Sequence, residues 1–262
     1  MHQRLLPYPE ISSDCILMLD DDVSLQPDSV EKLLKAMEDN NADLVGADTF
    51  HNHDQPLKTK IRAAISNLVF PYFSQRWSFK IQRNGSFSYI NHPRKNYYPS
   101  QSCAGNAMLW KKSAYDSLHM QDELWLDSLP FAYGDDMLES YKVYKNGYKL
   151  GVVFNSGISH LDLKSASSGY QTNPQKIKIR TIAQFAVWWR TCYKPGNIGY
   201  ISRLFAAFAF SFKTAWLFCV FLSLSFFKLN FSYCSNFLNG LYEGWKFVHS
   251  EPFRSLRPYV IR

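Results

Sequence analysis

The chain has 262 residues, with 29 lysines and arginines against 22 aspartates and glutamates, and 46% of its residues are hydrophobic. That length is enough to bury a core in one full-sized domain with an appendage, or in two small domains. The low charge density, the 16% aromatic content and the modest glycine and proline content exclude disordered, collagen-like and low-complexity proteins.

The first predicted elements form a strand–helix–strand unit. The apolar run Cys15–Leu19 is typical of a buried strand, and it ends directly in three aspartates. The segment that follows predicts a helix with Pro27 in its first turn. Its apolar stripe is spaced i, i+3, i+4 and i+7 and consists of Val30, Leu33, Leu34 and Met37. Residues 42–48 follow as a second strand, so the order predicts an α/β fold with a mixed, mainly parallel sheet flanked by helices.

The later elements continue this pattern after an irregular stretch. Residues 51–100 carry scattered proline, asparagine, tyrosine and basic residues, and no element is predicted there. The elements predicted after them are a strand at Cys103–Trp110, a helix from Lys111, a helix opened by Gly134-Asp135-Asp136 and closed by Asn146-Gly147, a strand at Lys149–Phe154, and a loop containing His160.

Charge divides the chain near Lys164. Residues 1–163 carry a net charge of −4, whereas residues 164–262 carry +11. We therefore predict an α/β domain at 1–163 and a basic, aromatic helical tail at 164–262. Such a tail favours an anionic surface, and a membrane is favoured over nucleic acid because no nucleic-acid-binding motif accompanies the charge.

The tail contains a hydrophobic segment at residues 204–227. Its single charged residue is Lys213. The segment is close to the roughly 20 apolar residues that a membrane-spanning helix needs. Three interpretations stay open: an interfacial or re-entrant helix, a true span, and a packed core helix.

Cysteine usage and the first residues indicate the compartment. The five cysteines are odd in number and lack CxxC spacing, which favours a reducing environment over a disulfide framework or a zinc site. The opening MHQRLLPYPE has no apolar run of signal-peptide length, so we expect a cytoplasmic location.

The clearest chemical feature is the triplet Asp20-Asp21-Asp22. Adjacent carboxylates at a strand end repel one another, so a cation would stabilise them. Carboxylate oxygens suit Mg²⁺ or Mn²⁺, either of which can also hold a diphosphate, and ligands bind at the carboxyl ends of strands in open α/β sheets. The alternative is a solvated acidic turn. A calcium loop and a prenyl-diphosphate motif both fit poorly, because Leu25 stands where the first needs glycine, and Ser24 and Leu25 stand where the second needs aspartate.

Two further features are candidates for chemistry. Asp135-Asp136 precedes a predicted helix, and one of two close carboxylates can act as a general base. The alternative is a pair of acids that only stabilises the first turn of the helix. His160 could bind a metal, although a single histidine is more often structural or exposed.

Several segments together resemble a known family. They are ILMLDDDVSLQPDSVEKLLKAM, AGNAMLWKKSAYDSL and FAYGDDMLESYKVYKNGYKLGVV, followed by His160. Over roughly residues 12–163 they resemble the family 2 inverting glycosyltransferases of the GT-A fold. The tail, with Trp188-Trp189-Arg190, its hydrophobic segment and NGLYEGW, is similar to the membrane-associating ends of bacterial rhamnosyl- and galactofuranosyl-transferases.

The resemblance implies a role for each residue that matches the family's motifs. Asp20 and Asp22 would bind the metal and the donor diphosphate, and His160 would complete the metal site. Asp136 would be the catalytic base, with Asp135 beside it. The other implied donor-binding positions are Asp21, Gly105, Asn106 and Trp110.

The resemblance also implies a reaction and its partners. It implies Mn²⁺- or Mg²⁺-dependent transfer, with inversion, from a nucleotide-diphosphate sugar to a lipid-linked or cell-surface glycan at the cytoplasmic face of the membrane. In this family a nucleotide-binding half precedes the acidic strand, which here begins near residue 15, so we expect an N-terminally incomplete domain. The alternatives are a non-catalytic remnant of such an enzyme and a membrane- or polyanion-binding module.

Overall fold

A computed structural model describes residues 8–49, 76–90, 92–130, 132–161, 173–196 and 198–261, together with the isolated helical positions Leu57, Ile61 and Ile65. The predicted domain boundary between residues 163 and 164 lies outside the described residues.

The described strands and helices follow in chain order. The strands are β1 (Cys15–Leu19), β2 (Val23–Leu25), β3 (Leu44–Ala47), β4 (Phe79–Ile81), β5 (Phe87–Tyr89), β6 (Tyr97–Pro99), β7 (Ala107–Lys111), β8 (Leu150–Val153) and β9 (Ile158–His160). The α-helices are α1 (Ser29–Asp39), α2 (Lys112–Ser117), α3 (Asp135–Lys145), α4 (Pro174–Trp188), α5 (Tyr200–Phe227), α6 (Ser232–Val248) and α7 (Glu251–Arg254). Tyr8–Glu10 and Met120–Ser128 are 3₁₀ segments, and Trp189–Tyr193 is a π-helical continuation of α4.

The central sheet has five strands in the order β1-β7-β3-β8-β6. It is mixed and flanked by helices, which confirms the predicted α/β, GT-A-like fold class. The expectation that parallel pairing predominates was wrong. Among the described strand pairs of this sheet only β3–β8 is parallel, because β7 enters antiparallel between β1 and β3, and β6 lies antiparallel to β8. Strands β1, β3 and β8 nevertheless share one direction, so their carboxyl ends meet at one edge of the sheet.

Both faces of this sheet are covered. Alternate residues of β7 enter different clusters: Met108 and Trp110 pack on one face, and Ala107 and Leu109 pack on the other. Helix α1 covers the second face through Leu33 and Met37. This period of two is the burial pattern of a strand enclosed on both sides.

Several predicted elements are confirmed with shifted boundaries. Strand β1 has the predicted bounds, whereas α1 begins at Ser29, after an N-cap at Asp28, so that Pro27 precedes the helix. The buried apolar face of α1 is narrower than predicted, because Val30 and Leu34 are exposed.

The strands that were not predicted are β2, β4, β5, β6 and β9. The hairpin β4–β5 lies in the stretch left without elements, and its turn holds Asn84 and Gly85, the latter at φ +74°. Asn-Gly between apolar runs is a strong hairpin signal. His160 is on strand β9 rather than in a loop, since residues 158–160 pair with β2.

The helices after residue 173 pack closely on one another. Gly240 and Gly244 of α6 face α4 so tightly that a Cβ atom would lie 2.7 Å from Thr181 Cβ or 2.9 Å from Phe185 Cβ. Helix α5 is 28 residues long, and only 6% of its most apolar window is buried. By length and composition it can cross a membrane, since 28 residues span about 42 Å.

A buried ionic cluster joins these helices to the sheet-bearing part. Glu123 is fully buried, and its carboxylate accepts from Lys142 Nζ at 2.8 Å and from Arg190 Nη2 at 2.7 Å. Arg190 Nη1 also donates to the Arg257 carbonyl at 2.6 Å. The cluster thereby connects the 3₁₀ segment, α3, the π-helical turn and the C-terminal residues.

Candidate functional site

The acidic triplet follows β1 at the edge where the parallel-running strands end. The Asp20 N–H donates to the Asn106 carbonyl at 3.1 Å, which fixes the start of the turn against the beginning of β7. Asp20 and Asp21 are exposed and Asp22 is half-buried. All three are therefore accessible to a ligand from solvent.

His160 lies beside Asp22 because β2 and β9 pair. Val23 is opposite His160 in that antiparallel pair, and the Leu161 N–H donates to the Asp22 carbonyl at 2.8 Å. This register places His160 Nε2 3.4 Å from Asp22 Oδ2. The His160 side chain is 12% exposed and that of Asp22 is 41% exposed, so the imidazole is mostly buried while the carboxylate is accessible from solvent.

Thr49 is hydrogen-bonded to both His160 and Asn106. Its carbonyl accepts from the His160 N–H at 3.4 Å, and its hydroxyl accepts from Asn106 Nδ2 at 2.7 Å. Because the Asn106 carbonyl holds Asp20, one set of hydrogen bonds runs from Asp20 through Asn106 and Thr49 to His160. The structure thus brings the predicted residues Asp20, Asp22, Asn106 and His160 into one site.

The second acidic pair stands in the first turn of α3. Gly134 precedes it at φ +89°, a left-handed conformation that favours glycine. Asp135 and Asp136 are half-buried. One turn later Ser140 Oγ lies 2.9 Å from Ser102 Oγ and accepts from the Cys103 N–H at 3.2 Å.

The loop from Cys103 to Asn106 therefore connects both acidic elements. Cys103 is hydrogen-bonded to Ser140 of α3, and Asn106 is hydrogen-bonded to Asp20 of the acidic turn. Three peptide units span at most about 11 Å. The acidic turn and helix α3 are therefore hydrogen-bonded to opposite ends of a segment no longer than a small substrate.

The structure places Gly105 and Asn106, but not Trp110, at the proposed donor site. Gly105 and Asn106 are both buried at this edge. Asn106 Oδ1 is buried without a hydrogen-bond partner among the described residues, so it is a free acceptor at the site. Trp110 is fully buried in the core against Tyr115, with ring centroids 5.1 Å apart, and a donor-binding role does not fit that burial.

Asp48 and Thr49 belong to this edge and were not predicted. Asp48 follows β3 directly, is 2% exposed, and accepts from the Tyr89 hydroxyl at 2.5 Å. Burial, together with the Asp48 charge, raises the pKa of Tyr89 far above its usual range, so this hydroxyl keeps its proton. The end of β3 carries the same sequence signal as the end of β1, because ligands bind at the carboxyl ends of strands in open α/β sheets.

The distance between Asp22 and His160 is compatible with two ligands of one divalent ion. Two ligands of an octahedral ion at about 2.1 Å and a right angle lie about 3 Å apart, close to the 3.4 Å between Asp22 and His160. No group of three histidine, cysteine or acidic side chains is arranged as a metal site within the described part of the chain. Two protein ligands nevertheless suit Mg²⁺-like ions, which commonly keep water and substrate phosphates as their other ligands.

Comparison with known proteins supports the family resemblance. Residues 9–116 match the family model described as Glycosyl transferase family 2. The matched part includes β1, the acidic triplet and Asn106, and it ends before Asp136 and His160. A search of curated proteins found no match to the chain.

Proposed function

We propose that this chain, which carries a glycosyl transferase family 2 match over residues 9–116, is a metal-dependent inverting glycosyltransferase. It uses a nucleotide-diphosphate sugar as donor and a lipid-linked or cell-surface glycan as acceptor. It acts at the cytoplasmic face of the membrane, with residues 204–227 in contact with lipid. The 1–163 region is the catalytic domain and 164–262 is the membrane-associating tail.

One observation carries the proposal. The Asp22–His160 pair is held at the carboxyl edge of the sheet by the same hydrogen-bond set that fixes Asp20 and Asn106. A solvated acidic turn needs neither a histidine partner nor a buried asparagine with a free acceptor. A carboxylate and an imidazole at this distance can together bind a divalent ion that takes its remaining ligands from water and a donor diphosphate.

Asp22 and His160 would hold Mn²⁺ or Mg²⁺, with Asp20 oriented toward the same edge. When bound, the ion neutralises the charge that develops on the departing diphosphate. Asn106 would position the donor-binding turn, because its carbonyl accepts from the Asp20 N–H and its side-chain amide donates to Thr49.

Asp136 is the proposed general base. Its carboxylate takes the proton of an acceptor hydroxyl while the hydroxyl oxygen forms a bond to the anomeric carbon. The bond from that carbon to the diphosphate oxygen breaks on the opposite face, so the configuration inverts. Asp135 and the Ser140–Cys103 contact orient the helix turn that presents Asp136.

The proposal is tested by turnover with a panel of nucleotide sugars in lipid nanodiscs containing Mn²⁺ and membrane-extracted glycolipid. We expect one donor to release nucleoside diphosphate and yield a product of inverted anomeric configuration. A product with retained configuration would contradict the single displacement. Mn²⁺-independent binding of membranes without any turnover would favour a non-catalytic module.

Metal binding gives a readout independent of activity. We expect Asp22→Asn and His160→Ala each to weaken Mn²⁺ binding at least about tenfold, since each removes one of two protein ligands. Calorimetric titration with Mn²⁺ alone measures this. Asp39→Asn, an exposed change at the end of α1, is the matched control and should bind like the wild type. Equal Mn²⁺ affinity in the wild type and all three variants would contradict a metal site at Asp22 and His160.

A further inference from the structure

Helix α5 has one packed face and one open face over its whole length. On the packed face, Phe210 stacks on Trp188 of α4 with ring centroids 3.8 Å apart, and Ser225 Oγ accepts from the Cys234 N–H of α6 at 3.1 Å. The residues of the open face are exposed and recur at spacings of three, four or seven, as they do on one side of a helix. They are Leu204, Phe208, Ser211, Ala215, Cys219 and Phe226. The open face runs for about 33 Å, since its first and last residues are 22 positions apart.

The charge of the hydrophobic segment is turned away from the open face. Lys213 is the single charged residue at positions 204–227, and its Nζ donates to the Asn84 carbonyl in the turn of the β4–β5 hairpin at 3.4 Å. Helical periodicity puts position 213 on the opposite side of α5 from Ser211 and Ala215, which are two residues away in either direction. The residues of the open face are therefore all uncharged.

The turn from α5 to α6 holds two large apolar side chains in solvent. Phe227 is 86% exposed and Leu229 is 89% exposed. Leu229 has a left-handed backbone at φ +49°, which is uncommon for a residue with a large side chain. The turn is held by the Leu229 N–H, which donates to the Phe226 carbonyl at 3.1 Å, and by the Asn230 N–H, which donates to the Ser225 carbonyl at 2.9 Å. The exposure of both side chains is thus a built feature of the turn.

Helix α6 has a second row of exposed apolar residues. Leu238, Tyr242 and Trp245 are spaced i, i+4 and i+7, so they share one side of α6. Leu238 and Ala215 of α5 both line the same solvent-open groove between the helices. The row on α6 and the open face of α5 therefore border one another and form one apolar surface.

The chain before α5 is bonded to the chain after α6. The Pro195 carbonyl accepts from the Val260 N–H at 2.6 Å. A crossing by α5 would put these two residues on opposite sides of a bilayer, unless α6 crossed back. The 17 residues of α6 span about 26 Å, less than the roughly 30 Å of a hydrocarbon core, and they include Asn236, Asn239 and Glu243. Both helices therefore stay on one side of the bilayer.

The charged residues next to the apolar surface fit lipid headgroups. Lys228 is exposed between Phe227 and Leu229, and Lys246 is exposed beside Trp245. Aromatic and basic residues next to exposed apolar ones are typical of a segment that lies in the membrane interface. The net charge of +11 over residues 164–262 favours anionic headgroups in particular.

We propose that α5 lies in the plane of the bilayer surface and does not cross the bilayer. Its open face, the turn at residues 227–229 and the exposed row of α6 form one surface, the insertion surface, which enters the boundary between headgroups and acyl chains of an anionic bilayer. Lys228 and Lys246 then lie at the lipid phosphates. This inference rests on the membrane contact in the proposed function and is independent of its chemistry.

The first test measures the depth of α5 in vesicles that contain zwitterionic and anionic lipid. A fluorescent maleimide is placed at position 208, 219 or 226, using Phe208→Cys, the native Cys219 or Phe226→Cys, with the other accessible thiols replaced by serine. Lipids brominated at different depths quench the label. We expect the same depth at all three positions, roughly 5–10 Å into the boundary. A label at Asp39→Cys on α1 is the control and should not be quenched.

A crossing helix gives a different depth profile. The labels at positions 208 and 219 would then differ in depth by about 16 Å, since these positions are 11 residues apart. That result would overturn the proposal.

The turn provides a second test. Leu229→Asn removes an exposed apolar side chain, and asparagine tolerates the left-handed backbone, so the fold should be retained. Combined with Phe227→Ser, it should weaken vesicle binding about 100-fold, since burying each side chain contributes about tenfold. Leu34→Asn, the same change on exposed α1, is the matched control and should bind vesicles like the wild type. Equal vesicle binding by the wild type and the double variant would contradict insertion of the turn.

A second copy of the chain is the competing occupant of the insertion surface. Pairing of two chains through it would give a dimer in detergent-free buffer that does not bind vesicles. Analytical ultracentrifugation and vesicle flotation distinguish this case, and such a dimer would overturn the proposal.

Failure of the insertion surface and failure of the proposed function give different results. Asp136→Asn should show the same label depths as the wild type, because insertion needs no catalysis. Equal depths together with no turnover of any donor support the insertion surface and contradict the enzyme. Turnover together with the depth profile of a crossing helix supports the enzyme and overturns the inference.

Discussion

Asp136→Asn is expected to lower kcat by about 10²–10⁴-fold, the range that a general base contributes. The amide keeps the shape of the side chain at the first turn of α3 but cannot take the acceptor proton. KM for the donor should change little, because the proposed donor site lies at the other end of the Cys103–Asn106 loop. Steady-state release of nucleoside diphosphate measures both parameters.

Two controls accompany this variant. Asp39→Asn carries the same chemical change at an exposed position of α1 and should keep full activity. Mn²⁺ binding by Asp136→Asn should equal that of the wild type, which separates the base from the metal site. Full turnover by Asp136→Asn would remove Asp136 from the mechanism.

Glu123→Gln is expected to destabilise the fold by about 3–5 kcal/mol, because it leaves two buried cations without their counter-charge. Lys142 and Arg190 both bond the Glu123 carboxylate, whose own exposure is zero. The loss should separate the helical tail from α3 as well, since Arg190 also holds the C-terminal segment through the Arg257 carbonyl. Urea unfolding followed by tryptophan fluorescence measures the change.

The Glu123 cluster also predicts that the stability of the fold depends on pH. Burial alone would raise the pKa of Glu123, but the hydrogen bonds and charges of Arg190 and Lys142 hold it below its usual value. A carboxyl with a lowered folded pKa contributes stability that is complete above its unfolded pKa of about 4.3 and is lost as pH falls through the folded pKa. Glu123→Gln should abolish this part of the acid sensitivity, whereas the exposed Glu38→Gln should retain it. An unchanged unfolding midpoint and pH profile in Glu123→Gln would contradict the role of the cluster.

Local patterns in the sequence were sufficient for much of the fold. The apolar run before the acidic triplet gave the bounds of β1, and the Gly134-Asp135 and Asn146-Gly147 signals located both ends of α3. These features depend on residues adjacent in the chain. The insertion of β7 between β1 and β3 depends on pairing between distant segments, which a single sequence does not encode locally.

The candidate site likewise has features that depend on neighbouring residues and features that depend on distant ones. Carboxylates at the end of a strand were visible as a triplet, whereas the bonds from Thr49 to Asn106 and His160 join segments far apart in sequence. Trp110 was assigned to the donor site from the family resemblance, whereas the alternation of β7 places its side chain in the core. The Glu123 cluster gave no sequence signal, since its cations come from different helices.

Mn²⁺-dependent release of nucleoside diphosphate, compared between the wild type and Asp22→Asn in nanodiscs with lipid-linked acceptor, tests the central claim most directly. We predict release by the wild type that EDTA abolishes and Mn²⁺ restores, and almost none by Asp22→Asn at any Mn²⁺ concentration. Equal Mn²⁺-dependent release by both proteins would contradict the assignment of the acidic turn and His160 as the donor site.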